Sequence, residues 1–117
     1  MRQALVIGGT GPTGHFIVNG LLERGFGVSI LHTGTHEVAE IPASVVHIHT
    51  NPFDDEKLIS ALGDAHFDLT IATYGRLRRV ADIMVGRTER FISIGGGPAY
   101  RGYMNADRCH PPGLAVP

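Results

Sequence analysis

Seven residues near the start of the chain have the types and spacing to receive a phosphate group: Gly8-Gly9-Thr10-Gly11-Pro12-Thr13-Gly14. They satisfy G-x-G-x-x-G through Gly9, Gly11 and Gly14, and G-x-x-G-x-x-G through Gly8, Gly11 and Gly14. The chemistry such spacing serves is the approach of a pyrophosphate to main-chain N–H groups at a helix N-terminus. A Cβ at the closest positions would hold the ligand off, and the last glycine lets the helix lie tightly on the preceding strand. A P-loop is excluded, because no Lys-Ser or Lys-Thr follows the glycines. The competing reading is a glycine-rich turn with no ligand. The elements around the loop favour a dinucleotide over that turn.

Those elements are legible as alternating strands and helices. Ala4 to Ile7 is a short apolar run bounded by glycines, which predicts a buried strand. Residues 13 to 24 predict a helix, with Phe16, Ile17, Gly20 and Leu21 on one face, Pro12 tolerated in its first turn and Gly25 ending it. Val28 to Leu31 is a second strand, closing a β-α-β unit. The pattern continues with a strand at Val45–Ile48, a helix from Asp54 to Leu62 capped by Asp54 or Asp55, and a strand at Phe67–Ala72. A helix over Arg76–Val85 follows, with Leu77, Val80, Ala81 and Met84 on one face, then a strand at Arg90–Ile94. This alternation predicts an α/β fold: a doubly wound, Rossmann-like parallel sheet of about five strands, in the order 3-2-1-4-5. Residues 1–103 are read as one dinucleotide-binding domain and 104–117 as an irregular, proline-rich tail.

Composition removes several function classes. Ten Lys+Arg against eleven Asp+Glu, a net charge of -1, provide no basic excess, so neither nucleic acid nor a membrane surface is an expected partner. The apolar runs are a few residues long, against the ~20 a membrane helix needs. The single cysteine, Cys109, cannot form an internal disulfide and is read as a free thiol in a reducing, cytoplasmic setting. Glycine is the informative excess, 16 of 117 residues, about twice the usual ~7%. The seven histidines are read as scattered polar residues. His47 and His49 alternate along a strand, but no cysteine pair or H-E-x-x-H accompanies them, so no metal site is expected. Arg76, Arg78 and Arg79 are read as a solvated helix face, with Arg76 within reach of cofactor phosphates.

The segment Val6 to Phe16 resembles the opening of the extended short-chain dehydrogenase/reductases, the NAD-dependent epimerase/dehydratase family. Asn51-Pro52-Phe53-Asp54-Asp55-Glu56-Lys57-Leu58 resembles that family's segment after the third strand, with Asn51 in place of the Asp that usually contacts the adenine. Ala72-Thr73-Tyr74-Gly75 stands where the family lines the cofactor, and Phe91 to Gly102 resembles its fifth strand and following turn. The resemblance covers residues 3 to 103 and implies an NAD or NADP site. Gly8, Gly11, Pro12, Thr13 and Gly14 would meet the pyrophosphate. His32 and Thr33 would meet the adenosine ribose, Asn51 and Pro52 the adenine, and Ala72, Thr73 and Tyr74 the cofactor further along.

At the end of the second strand, where NAD binders place an acid on the ribose 2′-OH, His32 and Thr33 occur instead, with no carboxylate until Glu37. That absence leans toward NADP, although no Arg or Lys stands there to receive its phosphate. The family's catalytic Tyr-x-x-x-Lys pair is missing. Tyr74 is followed four residues on by Arg78, Tyr100 by Met104 and Tyr103 by Asp107, and no catalytic residue is assigned. The expectation is an NAD(P)-binding domain, a fragment of an epimerase/dehydratase-like oxidoreductase, inactive alone and self-associating through its uncovered edge. The alternative is a non-catalytic regulatory protein that senses dinucleotide and acts through a protein partner.

Overall fold

A computed structural model of the protein describes residues 1–9, 13–34, 39–73 and 76–94. Five strands form one parallel sheet: β1 (Gln3–Ile7), β2 (Gly27–His32), β3 (Val46–His49), β4 (Phe67–Ala72) and β5 (Thr88–Ser93). Their spatial order is β3-β2-β1-β4-β5, as the alternation predicts. Three helices are described: α1 (Gly14–Glu23), α2 (Asp55–Leu62) and α3 (Leu77–Met84).

The central strand explains the layering. Successive side chains of a strand point to opposite faces, and β1 is apolar on both. Ala4 and Val6 pack with Val18 and Leu21 of α1 and with Val28, Ile30, Ile41 and Val45. Leu5 and Ile7 pack on the other face with Leu58 and Leu62 of α2 and Val80 and Met84 of α3. Each Val, Leu, Ile or Met side chain among them, fully buried, contributes about 1.5–3 kcal/mol. Between β2 and β3 the α1 face is covered by Ile41 and Val45, and Asn19 of α1 donates to the Glu40 carbonyl at 3.0 Å.

One expectation about faces is corrected. Phe16 was expected on the inner face of α1, yet it is 70% exposed, and the buried residues are Gly14, Val18 and Leu21. The polar residues His15, Asn19 and Glu23 form only a narrow stripe, leaving an apolar arc too wide to fix one inner face, and the close seat of Gly14 on the sheet selects it. Gly25, with φ 84°, lies just beyond the helix in the left-handed conformation that glycine adopts most easily. The expected tail at 104–117, the turn at Gly95–Gly97 and Cys109 lie outside the described residues.

Candidate functional site

The carboxyl ends of β1 and β4 lie side by side where the strand order reverses, the position at which open parallel sheets bind ligands. At the end of β1 the chain turns through Gly8 at φ 100°, and the Gly8 N–H donates to the Leu31 carbonyl at 2.8 Å. Gly14 then opens α1 against the buried Gly9. A Cβ on Gly14 would lie 2.2 Å from the Gly9 carbonyl oxygen, so only glycine permits this approach. The Thr13 side chain makes no capping hydrogen bond and the first turn of α1 holds no acid. By contrast, α2 is closed by the Asp54 carboxylate, which accepts from the Lys57 N–H at 3.1 Å. The start of α1 thus has the positive end of a helix dipole without a carboxylate to repel an anion.

Across the crevice, the Thr73 N–H and Oγ1 both donate to the Ile7 carbonyl, at 3.0 and 3.1 Å. Ala72 is fully buried in the sheet, so of the two it is Thr73 that reaches the rim. Gly8, Thr13, Gly14 and Thr73 therefore gather at the switch point. His32 and Thr33 follow β2, one strand from β1, while Asn51 and Pro52 follow β3, two strands from β1, about 10 Å at the usual ~4.8 Å strand spacing. Asn51 is exposed, and its Oδ1 accepts from the Phe53 N–H at 2.9 Å, shaping the turn into α2. Pro52 is buried beneath that turn. Arg76 is exposed at the start of α3, while Arg79 pairs with Asp55. Gly11, Pro12 and Tyr74 lie outside the described residues.

The histidines are not all scattered. β2 and β3 run in a register that sets His32 opposite His49 and Ile30 opposite His47. His32, His47 and His49 consequently share one sheet face, with one ring nitrogen from each within 4.8 Å of the others. His32 is 3% exposed, and its Nδ1 accepts from the Gly34 N–H at 3.0 Å. A backbone N–H can only donate, so the neutral ring carries its proton on Nε2, which faces the His47 Nδ1 at 3.0 Å. The i, i+2 histidines of β3 and the strand-end histidine of β2 were visible in the sequence. The register that joins them was not.

Among the described residues, a groove lined by Arg2, Phe26, Asp68, Leu69, Glu89 and Arg90 lies at the opposite, amino-terminal edge of the sheet. Asp68 and Glu89 offset its two arginines, and it is remote from the glycine loop. No helix among the described residues is long and apolar enough to cross a membrane.

No family model matches the chain, and no curated protein matches it in sequence. Solved structures do match. UDP-glucose 4-epimerase of Thermotoga maritima superposes with a TM-score of 0.70 at 17% identity, over 86% of this chain and 40% of the epimerase. Vestitone reductase from alfalfa does so with a TM-score of 0.68 at 18% identity, over 86% of this chain and 38% of the reductase. The Thermus thermophilus UDP-glucose 4-epimerase, in complex with NAD, reaches 28% identity with a TM-score of 0.53, over 62% of this chain and 24% of the enzyme. The chain spans less than half the length of each. The resemblance read from the glycine loop is therefore met at the level of fold: this chain has the Rossmann-like architecture found in UDP-glucose 4-epimerase and vestitone reductase structures, over about two fifths of their length.

Proposed function

We propose that the chain is the dinucleotide-binding part of an NAD(P)-dependent, epimerase/dehydratase-like oxidoreductase. The observation that carries this reading is the contact of Gly14 on the Gly9 carbonyl, which leaves the uncapped start of α1 beside the end of β1. Two structures of similar fold, the Thermus epimerase and the Bordetella bronchiseptica enzyme WbmG, are complexes with NAD. In this chain the pyrophosphate would meet Gly8, Gly11, Pro12, Thr13 and Gly14, with Thr73 on the far wall. His32 and Thr33 would face the adenosine ribose, with Asn51 and Pro52 at the adenine end and Tyr74 further along, while the buried Ala72 would support the crevice from within the sheet. Neither His32 nor Thr33 would repel a 2′-phosphate, which supports acceptance of NADP alongside NAD.

Bound dinucleotide supplies hydride chemistry, while the residues of this chain bind and orient it. No tyrosine here has a lysine four residues on, so these 117 residues alone are expected to turn nothing over. Titration with NADH and NADPH, followed by nicotinamide fluorescence, is expected to show saturable binding. Gly14→Ala is expected to abolish it while the circular dichroism of the sheet persists, because the new Cβ forces the loop off the helix start. The absence of saturation with either nucleotide, or unchanged affinity in a folded Gly14→Ala chain, would overturn the reading.

A further inference from the structure

We propose that His32, His47 and His49 form a binding site for a divalent transition metal ion of the zinc class, with three imidazole ligands and an open remaining position. The three imidazoles converge. Their ring nitrogens lie within 4.8 Å of one another, and the His32 Nε2 and His47 Nδ1 are already 3.0 Å apart. Two nitrogens on a tetrahedral zinc ion, each at ~2.0–2.1 Å, are separated by about 3.3 Å. The His32–His47 pair needs to open by only a few tenths of an ångström, and the third nitrogen to close by up to about 1.5 Å. The burial gradient allows this: His32 is buried and anchored, His47 is half-buried, and His49 is exposed at the sheet edge, where the ion can enter. The rings meet one another at 75°, 87° and 61°, so no two are stacked.

The donor set selects the ion. Imidazole nitrogens suit zinc, copper, nickel and iron, whereas magnesium and calcium require oxygen ligands, and none of the three is a carboxylate. The proton balance is also defined. The ion takes the place of the proton between His32 and His47, and that proton moves to the His32 Nδ1, leaving each ring neutral. The Gly34 amide then can no longer donate to Nδ1. Gly34 has φ 87°, and turning the Thr33–Gly34 peptide over would carry this glycine to a negative φ and offer the Thr33 carbonyl to the new N–H. A ligand histidine that donates its other N–H to a backbone carbonyl is the usual supporting arrangement. The site shares His32 with the proposed ribose contact, so the test is made without dinucleotide.

The test uses the untagged chain, stripped with a chelator and titrated with zinc by calorimetry and with cobalt by visible absorption. One ion per chain is expected, with binding weakening in acid, because protons compete with the metal for the ligand nitrogens. His47→Ala and His49→Ala should each lower affinity by at least ~10-fold, while His66→Ala, which removes the histidine paired with Glu89, should leave it unchanged. His49 is exposed, so its variant remains informative even if the others perturb folding. Failure to take up one ion, or equal uptake by the His49→Ala chain, would overturn the proposal.

Discussion

Arg79 and Asp55 join α3 to the first turn of α2, two guanidinium nitrogens donating to one carboxylate oxygen. The hydrogen bond from Arg79 holds the Asp55 carboxyl below its ordinary 3.8, against a smaller opposing effect of burial, with the charges of Arg79 and Arg76 assisting. A depressed carboxylate pKa stabilises the fold above the unfolded value, and the contribution disappears as the pH falls through the folded one. Arg79→Ala should therefore lower the unfolding midpoint slightly at pH 7. The gap should close in high salt and as the pH falls below the ordinary carboxylate range, which urea titrations across acid pH would show. A gap that persists unchanged in acid would assign the effect to something other than the ion pair. At this scale legibility was uneven. The glycine loop was readable because its spacing is dictated by backbone approach, a local demand. The histidine cluster was not, because three residues with ordinary local roles become neighbours only through the pairing of β3 on β2. Asn51 was read for its ligand chemistry, and its side-chain oxygen is found shaping a turn.

The elements were the most legible part of the molecule. β4 has the bounds read from its apolar run, and the other strands and helices begin and end within one or two residues of expectation. Punctuation explains this: glycines close α1 and α2, and an aspartate opens α2. Asp54 holds an extended backbone and accepts from the Lys57 N–H, with Asp55 and Glu56 following in the first turn. Asp54→Ala is expected to cost about 1 kcal/mol, and Asp54→Asn only a fraction of that, since asparagine caps nearly as well. Chemical denaturation of the two variants checks the ranking; equal losses would mean that Asp54 acts by charge alone. What punctuation does not carry is which side of an element faces inward. Phe16 was misplaced because α1 has apolar residues on most sides, while α3, with charges interrupting its stripe, was read correctly at Val80 and Met84.

For the whole molecule, the strand order followed from short crossovers and their fixed hand, rules that hold whatever the side chains are. One consequence of that order concerns time. β1 is bonded to β2 on one side and β4 on the other, and apolar side chains close both of its faces. β5 is bonded to β4, and most of its residues are exposed. In heavy water the amides of Leu5, Val6 and Ile7 can exchange only when the sheet comes apart as a unit, whereas those of β5 can be released by fraying. Deuterium uptake should therefore spread from the rims inward, reaching β1 last and at the rate of global opening. If β1 exchanged as early as β5, the central strand would not be the last part of the fold to open.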